Sequence, residues 1–373
     1  MKLLNGMLLL GACLFISACR QETVSGLQTL TLDRADRIDP DMELPLDALG
    51  MTVEAIPLET TDSCLIKDIF GLEESRDFYW LLFNNRIGKF DKAGRFLQYI
   101  GTAGQGPGEY VSAKVIQPVE EEQRLYVMDY FGRKMNVYGF DGSFIRTFRL
   151  PEETWMDNFR YKDSKVYYQT TGNSVMPDIF CYDVQAGRMD TICKREREMG
   201  TEGYAGQSYI YTLDGDMYTY HYFNDTIYRL DENRIEPAWL FQTGKMKWTY
   251  DELTMMADFT PKVRPDGPRI QVFDLFETNA YRFVFYTISE YKGEKMKPFM
   301  ALYDKKQDRF YPHLNLISPE APWLSVRKGA KLIKTSVPGS LYAIKEAVDL
   351  AGKKGFERVK EDDNPVLVRY VCN

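Results

Sequence analysis

The sequence predicts an all-β fold, and three observations carry that expectation. First, an apolar residue followed by Asp, a short turn and an apolar run recurs along the chain. It stands as "FDKAGRFLQYI" from Phe90, "FDGSFIRTFRL" from Phe140, "YDVQAGRMDTI" from Tyr182, "LDENRIEPAWLF" from Leu230 and "YDKKQDRFYPH" from Tyr303. Second, a short aromatic and β-branched run lies upstream of each: "FYWLLF", "RLYVMD", "KVYYQT", "DMYTYH" and "YRFVFYTI". That composition, bounded by turn residues, is the strand signature. Third, the segments "TVEAIPLET" near the start and "PVLVRYV" near the end both read as strands.

Taken in order, the first 18 residues form a leader. Lys2 is its short positive region and "LLNGMLLLGACLFI" its apolar region, shorter than the roughly 20 residues a bilayer requires. Ser17 and Ala18 before Cys19 resemble the lipobox of bacterial lipoproteins. The expected consequence is cleavage before Cys19 and acylation of its thiol, since several acyl chains anchor stably. Residues 19–50 read as the lipidated cysteine and a tether, and 51–373 as a single domain. Removing Lys2 and no acid takes the net charge from −7 to −8. An acidic chain without a basic block argues against nucleic acid as a partner.

The Asp turns are 50, 42, 48 and 73 residues apart. The last interval is stretched by "GKMKWTYDELTMMADFTPKVRPDGP", where Thr249 and Glu252 have the spacing of a helix capping box. Each unit thus reads as four short strands in roughly 45 residues, the pattern of a propeller blade. Five units are visible between 65 and 312. An open edge invites aggregation, so the N-terminal strand is expected beside the C-terminal one in a sixth blade. Ser340, with Leu341, Ile344 and Val348 at helical spacing, predicts a second short helix. The fold expected is a six-bladed β-propeller of four-stranded antiparallel blades, with two short helical insertions and closure by an N-terminal strand. Each repeated Asp is expected to accept backbone N–H bonds in the turn between its blade's outer strands.

Cys64, Cys181, Cys193 and Cys372 remain after cleavage and lipidation. Cys181 and Cys193 flank one hairpin turn, which leaves both a bridge and two free thiols open. No CxxC pair occurs and the chain has only two histidines, which leaves few ligands for zinc.

The runs "IPLET", "FDKAGRFLQYIGTAGQGPGEY" and "EDDNPVLVRY" resemble the six-bladed β-propeller lipoproteins of Bacteroidota, a family related to NHL-repeat propellers. The resemblance covers nearly the whole mature chain. It implies the fold and an envelope location, and says little about biochemical role. Asp129 followed by Arg133 is similar to the D…R pattern that helps hold an NHL blade.

The glycine-rich stretch "GTAGQGPGEY" invites a phosphate-loop reading, but no lysine or hydroxyl follows Gly106 as a Walker loop requires. The following "YVSAKVIQPV" reads as a strand, whereas a dinucleotide loop opens a helix. The stretch is expected to carry the chain from the outer strand of one blade to the inner strand of the next. That crossing shares a face with the turns between second and third strands. The candidate ligand-binding residues on this channel face are Asn85, Arg86, Glu109, Tyr110, Asp129, Tyr130, Arg133, His221, Tyr222, Asn224 and Asp225. Aromatic rings pack on sugar faces, while amides and guanidinium groups satisfy hydroxyls.

Three functional classes fit these residues. A non-catalytic binding propeller on the envelope recognises a glycan, a peptide or a partner protein, needs no cofactor and meets the membrane only through its lipid. The alternative is a calcium-dependent, lactonase-like hydrolase, with Glu109, Asn85, Asp129, Asn224 and Asp225 offering oxygens to Ca²⁺. In the third, the blade rims serve assembly. No G-x-S-x-G nucleophile elbow occurs.

Overall fold

The computed structural model describes residues 26–150, 156–170, 178–194, 208–221, 224–231, 234–253, 263, 265–289, 297–327, 332–333, 335 and 339–372. Six antiparallel sheets follow one another along the chain. Blade one is built from Ile69–Glu74, Phe78–Phe83, Arg86–Asp91 and Phe96–Ile100. Blade two spans Ala113–Val119 to Phe144–Arg149, and blade three Met156–Lys162 to Arg188–Cys193. Blade four runs from Ser208–Leu213 to Ile235–Gln242, and blade five from Ile270–Glu277 to Arg309–Tyr311. The aromatic runs singled out in the first five repeats are each the second strand of their blade.

The ring closes between the chain ends. In blade six, Leu332–Ile333 and Ser340–Lys345 are followed by Val366–Cys372, which pairs along its whole length with Met51–Pro57. This junction holds because both partners present apolar residues at alternate positions: Val366, Val368 and Tyr370 pack in one cluster with Met51, while Leu367 and Ile56 pack in another toward blade one. Blade faces are otherwise filled by large aromatics such as Trp80, Tyr126, Tyr168, Trp239 and Tyr286.

Four of the five Asp turns behave as expected. The Asp91 carboxylate accepts the amides of Ala93 and Arg95, Asp141 that of Ser143, Asp183 those of Gln185 and Ala186, and Asp304 those of Lys306 and Gln307. The Thr249–Glu252 capping box also forms: each residue's amide donates to the other's side chain, and a one-turn helix, Tyr250–Leu253, follows.

Two expectations need correction. The run after Ser340 is a strand, not a helix, because Ser340, Leu341, Tyr342, Ala343 and Ile344 are all buried and no face is left for solvent; the helix there is only Ala347–Leu350. The segment read as tether is structured from Gln28 onward. Gln28–Thr31 adds a fifth, parallel strand to the outer edge of blade four, and Glu43–Pro45 pairs with Asn315–Ile317 beside blade five. Leu30, Leu32, Leu46 and Leu49 are buried along this belt. Of the two alternatives left open for Cys181 and Cys193, no bridge joins them. Cys181 lies opposite Asp190 and Cys193 opposite Ile179, so the register sets them two positions apart.

Candidate functional site on the crossing-loop face

The glycine-rich stretch joins the outer strand of blade one to the inner strand of blade two, and its interior is filled by its own carboxylate. Glu109 folds back to accept the Gly106 amide at 2.8 Å. A Cβ at Gly104 would sit 2.1 Å from that carboxylate, so glycine there is a packing requirement. The Gly104 amide donates to the Tyr110 carbonyl. Two of the loop's backbone donors, Gly104 and Gly106, are therefore unavailable to a phosphate. Tyr110 is wholly buried; its hydroxyl accepts the Ile87 amide and donates to the Ile100 carbonyl. Burial pushes that phenol up to about 12, and the residue packs the blade junction without reaching the face.

The turn after the second strand of blade one is Asn84–Asn85, both with positive φ, the geometry that a two-residue hairpin favours and Asn tolerates. Asn84 donates to the Leu65 carbonyl and accepts the Lys67 amide, while Asn85 donates to the Val111 carbonyl. Asp129 is fully buried and accepts the amides of Val111, Ser112 and Gly132, with Lys134 at 3.9 Å. These residues knit the crossing loop to its two blades. Arg86 and Arg133 stay exposed; the Arg86 guanidinium lies 4.7 Å over the Tyr99 ring. Tyr130 carries Lys114 Nζ at 4.4 Å from its centroid.

The same face carries apolar groups that the sequence reading did not name. The inner strand of blade one bulges between Ile69 and Gly71, and a bulge re-aims its extra residue. Phe70 is that residue, and it is 73 % exposed. The corresponding bulge in blade two releases Lys114. Phe131 is 64 % exposed, and Leu65 and Val111 are exposed as well. Gly71 inside a strand pattern was the available signal.

Blade four contributes on the opposite side of the ring. His221 is buried; its carbonyl accepts the Asn224 amide. Asn224 accepts the Thr226 amide, and Asp225 pairs with Lys247 at 2.6 Å. Tyr222 lies outside the described residues. The donor set of the calcium reading is thus dispersed over opposite blades, with Glu109, Asp129 and Asp225 each engaged locally. Among the described residues no cluster of three His, Cys, Asp or Glu side chains is placed to hold a metal.

Toward the other mouth of the channel, buried acids clamp neighbouring blades. Glu74 of blade one meets Lys92 and, from blade six, Arg369 and Tyr342. Glu277 of blade five meets Arg282, Lys305 and, from blade four, Tyr211. Burial works to raise the Glu277 carboxyl, but Arg282 and Lys305 outweigh it and hold it below the usual range. These pairs make the ring stiff where the blades converge.

Fold and face together define a six-bladed propeller with a rigid, partly apolar loop surface at one end of its channel. The chain belongs to the DUF4934 family, a domain of unknown function whose profile matches residues 29–371. A protein of Bacteroides fragilis NCTC 9343, described by its name as exported, shares the fold with a TM-score of 0.70 and 21 % identity, over 92 % of this chain and 99 % of that one. A DUF4221 member from Bacteroides vulgatus ATCC 8482 aligns with a TM-score of 0.49 and 13 % identity over 86 % and 96 % of the two chains. The virginiamycin B lyase of Staphylococcus aureus aligns at 0.45 and 10 %, over 86 % and 99 %. No curated protein matches the chain. No helix among the described residues is long and apolar enough to cross a membrane.

Proposed function

We propose that this protein is a non-catalytic binding propeller of the bacterial cell envelope, anchored through acylated Cys19, which recognises a glycan, a peptide or a partner protein on its crossing-loop face. The observation that carries the reading is the placement of exposed Phe70, Phe131, Leu65 and Val111 on a backbone locked by Asn84, Asn85 and Asp129. Exposed apolar groups rimmed by polar ones mark interaction sites, and a preformed surface loses little entropy on binding. Arg86, Arg133 and Lys114 supply cationic donors around it.

The belt adds a geometric consequence. Eight residues separate Cys19 from the first rim strand at Gln28, and the nine Cα steps between them span at most about 30 Å. An acylated chain therefore rides close to its membrane with the rim of blade four nearest the anchor. Cys19→Ala is expected to move the protein from the detergent phase to the aqueous phase on Triton X-114 partition; retention in detergent contradicts the anchor.

The binding test is a glycan array and a peptide library probed with the mature chain, its Phe70→Ala/Phe131→Ala variant and its Arg86→Ala variant. Saturable binding that falls at least tenfold in the double variant, at unchanged Tm, is expected. Absence of any binder, or binding indifferent to both phenylalanines, overturns this assignment of the face.

A further inference from the structure

The apolar groups of the crossing-loop face form one strip across blades one and two, tied together by hydrogen bonds. Asn84 donates to the Leu65 carbonyl and Asn85 to the Val111 carbonyl. The Val111 amide donates to Asp129, whose carboxylate also accepts the amide of Gly132, next to Phe131. Phe70 extends the strip inward, because it leaves the innermost strand of blade one at the bulge.

The charges around this strip run against those of the chain. Within residues 60–70, 84–86, 101–114 and 129–133, the exposed cations are Lys67, Arg86, Lys114 and Arg133, and the exposed acids are Asp62 and Asp68. The other two acids of these segments turn inward: Asp129 is fully buried, and Glu109 accepts the Gly106 amide. A chain with 54 acids and 47 bases therefore presents a locally cationic face. Opposite charge on a partner steers its approach and fixes its register, while like charge excludes it.

The hydrogen-bonding groups narrow the partner further. Sugar hydroxyls need donors and acceptors side by side, which planar amides provide. Here the Asn84 amide is spent on Lys67 and Leu65, and Asn85 donates to Val111. What points outward is guanidinium and ammonium, which only donate, set among Phe, Leu and Val side chains with no polar atom. Carboxylates beside apolar side chains complement that mixture, and a protein chain carries both on one backbone. Phe70 leaves the strand nearest the channel axis, where an extended chain reaches and a flat bilayer does not.

We infer that the partner is a protein segment in which Asp or Glu flanks apolar side chains. It lies across blades one and two, with its apolar groups on Phe70, Val111 and Phe131 and its carboxylates on Lys67, Arg86 and Arg133. This inference rests on the proposed binding face and adds the chemistry of what occupies it.

The test is selection of a displayed random-peptide library on the mature chain, run beside a glycan array and phosphatidylglycerol vesicles. Enriched peptides are expected to combine Asp or Glu with Phe, Leu or Ile. One of them, synthesised, is expected to bind at least tenfold more weakly in about 500 mM than in about 50 mM salt. Its counterpart with Lys and Arg in place of the acids is expected not to bind. Lys67→Glu/Arg86→Glu, at unchanged Tm, is expected to weaken the acidic peptide at least tenfold. The salt dependence and the counterpart peptide decide the matter even if that variant misfolds. Enrichment of neutral or basic peptides, or of glycans or vesicles alone, with binding that still requires Phe70 and Phe131, overturns this partner and leaves the face standing. Absence of any binder, or binding indifferent to both phenylalanines, overturns the face and the partner together.

Discussion

Asn364 is buried between the two ends of the chain and uses its whole amide. Its carbonyl oxygen accepts the Ile66 amide, its nitrogen donates to the carbonyls of Glu59 and Cys64, and its backbone amide reaches Thr60. Asn364→Ala strands these groups and is expected to lower stability by about 1–3 kcal/mol, read from urea unfolding; a change near zero contradicts the role. Its motif stood out in the sequence, yet its role did not, because its partners lie some 300 residues away. The repeated aspartates were legible, since their partners are local. Side-chain and backbone donation from Ser143 holds Asp141 below the usual carboxylate range, and the Ala186 amide does the same for Asp183. A depressed folded-state pKa contributes stability that is present above the unfolded value, about 3.9, and lost as pH falls through the lower folded one. Asp141→Asn and Asp183→Asn are therefore expected to flatten the fall of stability below about pH 4. An unchanged acid slope contradicts this.

At the scale of elements, short-range signals gave the blades and long-range ones stayed hidden. The second strands were recognised because aromatic, half-continuous runs bounded by turns suit a sheet buried on both faces. The same continuity misled at Ser340–Lys345, where Leu341 and Ile344 match helical spacing with Val348 beyond the strand, although Ser340, Tyr342 and Ala343 are as buried as Leu341 and Ile344. Phe70 was missed because a bulge appears only once the strands are paired. The N-terminal belt was missed because its polar residues resemble a linker, while Leu30 and Leu32 gain burial only in the cluster they share with blades four and five. Leu32→Ala is expected to cost about 2–5 kcal/mol, whereas a free tether would register nothing; thermal unfolding decides. The capping box makes a smaller claim. Thr249→Ala is expected to cost about 1 kcal/mol, with the Glu252–Arg269 pair retained.

At the scale of the whole molecule, six sheets form a rigid ring only if the last is shared by both ends of the chain. The proposed binding face depends on that rigidity: the exposed phenylalanines stay on a fixed backbone only while the ring stays shut. Ring closure was legible in the sequence because two orphan strands needed each other. The face was only partly legible, since turn chemistry and recognition use the same residue types. Asn85 and Asp129 answer to the turns; Arg86 and Arg133 remain directed outward. The most direct measurement is native-state hydrogen exchange of the amides in Met51–Pro57 and Val366–Cys372. The expected result is that both strands exchange together, at the rate of global unfolding, and that Asn364→Ala accelerates both equally. Early, independent exchange of either strand would mean that the ring is not fastened there.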